Sequence, residues 1–392
     1  MTAELKVFEE FICFSRQMKK WIISNAVICI IVVIVTLFTA FDFVFMPYLN
    51  DFSIYYYTSK TFFESDPTLI YNAEYMFETY SVLAYRYLPA ELFVFYLFVP
   101  FGLNIAYVIF SAISYVLNLL SAFFLYRIAK KILKEGWEVM RKYIIVFFLM
   151  TFHFSNYMTG QVSAIIAFCV TASIYFYFSK RIALSSLFIG LSFFFKPISA
   201  FVIIFSILAS SKSHVLKRII FIVIPLIPDA ILFLTNRGLI SGFIKLNFVD
   251  LNETSVTPSI SFSNLFNTFG VSSTWVMIFG IVFLVSSWFF ISKHVKDKGF
   301  FAITYGILCH FLIMSAVWDT QVLFLYPVLA VVYAFYGNGQ SFKIYILYPL
   351  TCSLFAFAYA GFPLVILAVI VSIATLLLSI FTISLFVRPR IN

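Results

Sequence analysis

Charge is what this sequence has least of. Asp, Glu, Lys and Arg make up 11% of the 392 residues, against 63% hydrophobic. Mean hydropathy is +1.02. A soluble domain carries about a quarter charged residues. This composition cannot solvate a surface in water, so the expected class is an integral membrane protein, all-α and polytopic. A long polar block is also missing, which leaves one membrane domain over residues 1–392 and no separate soluble domain. Metal-binding patterns are missing too. The five cysteines form no CxxC; Cys29, Cys169, Cys309 and Cys352 lie in apolar runs and Cys13 in the N-terminal segment. Buried apolar cysteine is the expected role, with no metal site. GxxxxGKS, HExxH and GxSxG are absent, as is GxGxxG in a strand–turn–helix setting, which removes the common soluble-enzyme chemistries. No internal repeat is visible, which weakens an inverted-repeat transporter.

What is present is a series of apolar runs. About 20 residues at about 1.5 Å each cross a hydrocarbon core of about 30 Å. The first run, Trp21 to Phe41, exceeds a signal-peptide core and lacks a small-x-small cleavage site, so it is read as a retained helix. Later runs lie near 91–101, 104–129, 143–158, 162–179, 183–195, 198–211, 218–235, 274–292, 300–318, 321–336, 344–360 and 362–387. The run 91–101 is too short to cross. About 11–13 transmembrane helices are expected, with long outer loops at 42–90 and 236–273.

Lysine and arginine orient the chain. With both termini inside, segments 1–20, 127–142, 180–181, 212–218, 293–298, 337–343 and 388–392 hold 21 of the 26 basic residues. Lys60, Arg86, Lys196, Arg237 and Lys245 remain outside. This positive-inside split accounts for most of the net charge of +9 without nucleic acid as a partner. Eleven of the 17 acids fall outside or near the outer boundary, so chemistry is expected on the extracytoplasmic face. The sequon Asn252-Glu253-Thr254 lies in the second outer loop and fits a glycan or chance equally.

Two ionisable groups stand out. Lys196-Pro197 interrupts "ALSSLFIGLSFFFKPISAFVIIFSILASSK", which has basic residues beyond both ends. Proline stops the helix, so a helical hairpin with Lys196 at its outer tip is predicted. Each arm of about 13 residues is short of the core, so the tip needs cover by protein or water. An ionisable group at that depth is a functional candidate, with snorkelling as the alternative. In "YLNDFSIYYYTSKTF", Asp51 stands ten residues past the first run, ahead of Tyr55, Tyr56 and Tyr57. A helix there would put Asp51 and Tyr55 on one face. Interfacial tyrosines are also ordinary belt residues. His153, His214, His294 and His310 are scattered; His153, near Gly160-Gln161, reads as a packed, hydrogen-bonded histidine. An outer acid, an outer-tip lysine and a lipid setting suit transfer from a lipid-phosphate donor. The phosphate leaving group needs positive charge and the acceptor hydroxyl a base. Tyrosine faces suit sugars and isoprenoid chains.

The stretches "DFSIYYYTSKTFFESDPTLIY", "YRYLPAELFVFYLFVPFG", "GQVSAIIAF" and "IGLSFFFKPISAF" resemble glycosyltransferase family 87 over about residues 20–210. The matching positions are Asp51-Phe52 with Tyr55, Tyr87 and Pro89, Pro100-Phe101, Gly160-Gln161, and Lys196. Farther on, "SISFSNLF" is similar to a polar segment of the family's second outer loop. "MSAVWDTQVLFLYPVLAVVY" is similar to a late Trp motif, in which Asp319, Thr320 and Gln321 stand where histidines often follow. The resemblance implies a GT-C-type bundle and a metal-independent, inverting hexosyl transfer. The donor would be a polyprenyl-phosphate sugar, mannose first, and no cofactor is needed. Asp51 would be the base, with Asp42 as the rival. Lys196, with Arg86, Arg237 or Lys245, would hold the phosphate. Tyr55, Tyr87, Gln161, Trp318 and Asp319 would shape the sugar and lipid pocket. The acceptor would be a glycan, glycolipid or glycoprotein, and the membrane is read as the plasma membrane rather than the ER. A lipid or sugar flippase is the alternative, and a non-catalytic scaffold a weaker one; a flippase would need polar residues through the bilayer, and the spans lack them below the outer third.

Overall fold

The computed structural model describes residues 51–132, 136–149, 151–197, 200–249, 259–263, 265–266, 270–314, 317–337, 339–353 and 364–387, with a few positions between 12 and 23. Helices and short turns account for the fold; no strand occurs among the described residues. The first apolar run, Asp42 and the sequon lie outside the described residues.

The first outer loop is itself helical. Helix α1 (Asp51–Glu64) leads through a 3-10 turn at Pro67–Tyr71 into α2 (Ala73–Tyr80), and a 3-10 turn at Pro89–Glu91 opens α3 (Leu92–Tyr96). Asp66 caps the first turn by accepting from Thr68 N–H, and Asn72 caps α2 by accepting from Tyr75 N–H. Phe52 is wholly buried and meets the rings of Phe95, Phe98, Tyr107 and Phe110, so α1 is pinned to α3 and to the helix that follows it at Leu103–Ile132.

The membrane part follows as α4 (Leu103–Ile132), α5 (Gly136–Leu149), α6 (Thr151–Thr159), α7 (Ser163–Phe178), α8 (Ile182–Phe195) and α9 (Ala200–Leu208). Next come α10 (Lys212–Val223) and α11 (Ile227–Thr235), joined through a 3-10 turn, and α12 (Arg237–Ile244). The last helices are α13 (Ser273–Ile291), α14 (Lys298–Ile313), α15 (Val322–Tyr336), α16 (Gly339–Ser353) and α17 (Leu364–Val387). Three stretches are long and apolar enough to cross a bilayer: Leu103–Ile132, Lys212–Thr235 and Ile366–Val387. Five shorter apolar helices pack among them, including α7, α8, α14 and α15. The chain is therefore an all-α membrane protein. Helices α5 and α6 cover the predicted run 143–158 on both sides of residue 150, which lies outside the described residues.

The predicted break at Lys196 is present. Helix α8 ends at Phe195, and Lys196 takes an extended conformation (φ −162°, ψ 129°) before Pro197. The two arms have different neighbours: α8 packs on α7 and α10, and α9 on α14. Without a strong apolar drive between helices in lipid, close contact depends on small residues. At Gly190 an added Cβ would collide with the Ile222 carbonyl, so the α8–α10 contact is backbone against backbone. Gly190→Val should lower stability by about 1–3 kcal/mol through forced separation of the helices. Thermal unfolding in detergent tests this; an unchanged midpoint would mean that the contact opens freely.

The polar stretch Ser259–Ser263 is non-helical and buried. Its backbone is satisfied by protein. Ile260 N–H donates to Val317 C=O at 2.9 Å, Phe262 N–H to Phe311 C=O at 3.1 Å, and Ser263 N–H to Leu312 C=O at 3.1 Å. Ser372 and Thr375 of α17 donate to the Ser261 and Ile260 carbonyls at 2.9 and 2.8 Å. Irregular backbone inside a membrane protein requires such partners.

Candidate active site

Three polar side chains from separate parts of the chain meet in one line. Asp51 opens α1, where an acid complements the positive end of the helix dipole. Gln161 sits between α6 and α7. Gly160 precedes it at φ 69°, a conformation that glycine adopts without strain, and both residues donate N–H to the Asn156 carbonyl. Lys196 ends α8. The Gln161 amide joins the other two: its Nε2 donates to Asp51 Oδ2, and its Oε1 accepts from Lys196 Nζ at 3.3 Å. Gln161 and Lys196 are 6% and 5% exposed, so their contact is shielded from water, while Asp51 at the other end is half-buried.

The Lys196 ammonium also lies 5.0 Å from the centre of the Tyr87 ring, a cation–π distance. Among the described residues no carboxylate is within ion-pairing distance of it. A buried, unneutralised ammonium is costly unless something negative is provided. Tyr55, one helical turn after Asp51, is sandwiched between Phe95 (4.5 Å, nearly parallel) and Tyr87 (5.9 Å). Its hydroxyl is buried with no hydrogen-bond partner among the described residues. Burial, then the neighbouring Tyr87, Glu91 and Asp51, pushes that hydroxyl well above the ordinary tyrosine range, so it stays neutral.

Residues that the sequence reading passed over complete the wall. Glu91 is fully buried and accepts a hydrogen bond from the Tyr85 hydroxyl, while its Oε2 has no partner among the described residues. Burial raises its carboxyl well above the usual range; the Tyr85 bond and the Lys196 charge oppose that rise, and Asp229 adds to it. Asp229 of α11 accepts from Ala90 N–H at 2.7 Å and so anchors the Pro89–Glu91 turn. His310 of α14 bonds Gln321 at 2.8 Å and lies within electrostatic reach of Lys196. Glu91 stood inside the quoted "YRYLPAELF", and Asp229 and His310 inside apolar runs. An ionisable residue in an apolar run is itself the signal that points to these two.

The other predicted residues are placed less tightly. Tyr87 joins the cluster. Arg86 is half-buried three residues before Pro89. Arg237 and Lys245 are exposed at the two ends of α12, which packs on the Pro67–Tyr71 turn rather than on the Gln161 line. Trp318 is 37% exposed and leads by a backbone bond into the turn holding Gln321. The side chain of Asp319 lies outside the described residues. His153 is a packed histidine as expected, bonded to Asn118 at 3.1 Å. Among the described residues no cluster of His, Cys, Asp and Glu is arranged to hold a metal.

An acid and a cation held apart by one amide, beside an aromatic stack, can serve a group transfer with an anionic leaving group. The family model for glycosyltransferase family 87 matches residues 85–315, more than half of the chain. The chain belongs to glycosyltransferase family 87. It is a membrane glycosyltransferase, an enzyme that moves a sugar from a donor to an acceptor. The matched span contains Glu91, Gln161, Lys196, Asp229 and His310; Asp51 lies before it. No curated protein and no solved structure gives a significant match.

Proposed function

We propose that this family 87 glycosyltransferase moves a hexose, mannose first, from a polyprenyl-phosphate donor to an acceptor hydroxyl with inversion. The observation that carries this reading is the Asp51–Gln161–Lys196 line. Inversion requires attack from the side opposite the departing phosphate, so base and cation belong at opposite ends of the sugar. Gln161 keeps them from collapsing into a salt bridge when no substrate lies between. Asp51 removes the acceptor proton as the new C–O bond forms, and Lys196 faces the charge that develops on the leaving phosphate. Tyr87, half-buried at the end of the Phe95–Tyr55–Tyr87 stack, offers aromatic surface to the sugar ring and the first isoprene units, with Tyr55 and Phe95 fixing it from behind. Glu91, held toward its neutral form, adds no full negative charge beside the donor phosphate. No cofactor is required by these steps, and the acceptor is a glycan, glycolipid or glycoprotein.

The bundle follows the GT-C plan in this reading, with the site on the extracytoplasmic side and both termini cytoplasmic. The support is the 21 basic residues of the opposite segments against the five on this side. Glu78 is exposed on α2. A cysteine placed there by Glu78→Cys should react with an impermeant thiol reagent on intact cells. Reaction only after permeabilisation would reverse the topology. Transfer itself is tested with a radiolabelled polyprenyl-phosphate mannose donor in proteoliposomes. Flipping of the donor without loss of its sugar would instead support the flippase.

A further inference from the structure

At the other end of α7, about 24 Å along the helix from Gln161 at about 1.5 Å per residue, lies a second concave feature. It is a cavity of about 730 Å³, within the size range of small-ligand sites. Lys180, His294, Lys296 and Lys298 line it, together with Tyr336, Phe386 and Val387 at the ends of α15 and α17. Among the described residues Asp297 is the one carboxylate in the lining. Its Oδ1 is already engaged, accepting from the Tyr177 hydroxyl at 2.6 Å and from Phe300 N–H at 3.0 Å as the cap of α14. Three ammonium groups therefore face the opening against one committed carboxylate.

A second observation points the same way. Arg218 is 3% exposed, and its Nε and Nη1 are buried with no hydrogen-bond partner among the described residues. It does not line the cavity, but it lies within electrostatic reach of Tyr177, which does. No carboxylate among the described residues pairs with it, and a buried guanidinium is costly without a counter-charge, so this end of the bundle is positively biased from within as well as at its rim. The remaining wall is apolar and sits at the ends of membrane helices, where a lipid headgroup meets its glycerol and first methylenes. A soluble anion would not use such a wall.

We propose that this cavity binds the phosphate headgroup of an anionic membrane lipid. Lys180, Lys296 and Lys298 hold the phosphate oxygens, and Tyr336 and Phe386 pack on the carbon chain below. The site is separate from the Asp51 cluster and concerns how the enzyme is seated in its membrane.

The test uses the full-length chain in detergent, with phosphatidylglycerol and phosphatidylcholine as probes and native mass spectrometry as the readout. The wild type should prefer phosphatidylglycerol. The K180Q/K296Q/K298Q variant should weaken phosphatidylglycerol binding on the order of a hundredfold, at about 1 kcal/mol per basic residue. The matched K180R/K296R/K298R variant should keep the preference, which excludes misfolding as the cause. K212Q/K217Q/K293Q removes three exposed charges from the same end but outside the cavity, and it should change little. Equal loss in both glutamine variants would reduce the effect to surface charge and overturn the site. Displacement of the lipid by millimolar inorganic phosphate would overturn the lipid assignment.

Discussion

Asp51→Asn should express, fold and bind donor, and should lose transfer by about 10²–10⁴ in rate. The structure makes this substitution unusually clean. Gln161 Nε2 donates to one oxygen of Asp51, and asparagine retains a carbonyl oxygen that can accept the same bond. Tyr55 and the stack behind it are unaffected by exchanging oxygen for nitrogen. What disappears is the group that takes a proton from the acceptor hydroxyl. Radiolabelled transfer in proteoliposomes containing extracted membrane lipids as acceptors measures the loss. Asp42→Asn, the rival position, should stay active. A transfer rate for Asp51→Asn close to the wild type would leave Asp51 as a structural partner of Gln161 and nothing more.

Lys196→Ala should act on a different step. A charge-assisted contact to a phosphate is worth about 1.5–3 kcal/mol, so donor affinity should fall roughly ten- to a hundredfold. Stability should fall little, because the variant removes an ammonium that is buried without an ion pair among the described residues. The break in the helix at this position depends on Pro197 and survives the substitution. Lys196→Arg should restore only part of the affinity. The charge is kept, but the planar fork does not reproduce the single Nζ contact with Gln161 and the position over Tyr87. Unchanged donor affinity in the alanine variant would assign Lys196 to the membrane interface.

The parts of this molecule that were legible in the sequence are those with a local physical cause. Composition required a membrane protein, and Lys196-Pro197 required a break in the hairpin. The four quoted stretches identified the family, and the family match includes three of them in whole or part. The pairing of Asp51 with Tyr55 followed from helical spacing once a helix was assumed there. The contact between Asp51 and Gln161 has no such cause. It spans 110 positions and exists because Phe52 locks α1 against α3 and α4 while Gly160 turns Gln161 toward it. Glu91 was overlooked for a related reason. In sequence it reads as a boundary acid of a short apolar run, and the packing of α8 and α11 on the Pro89–Glu91 turn buries it. Arg237 and Lys245 illustrate the opposite case. The family resemblance implied that they join Lys196 at the phosphate, but both are exposed at the ends of α12, which packs on the Pro67–Tyr71 turn.

The division of labour between Asp51 and Lys196 is tested most directly by equilibrium binding of a radiolabelled polyprenyl-phosphate mannose to three purified proteins: wild type, Asp51→Asn and Lys196→Ala. The base acts only once an acceptor is present, whereas the cation meets the donor phosphate from the start. Wild type and Asp51→Asn should bind the donor with similar affinity, and Lys196→Ala should bind it roughly ten- to a hundredfold more weakly. Equal binding by all three, or a loss confined to Asp51→Asn, would contradict the assignment of the phosphate to Lys196.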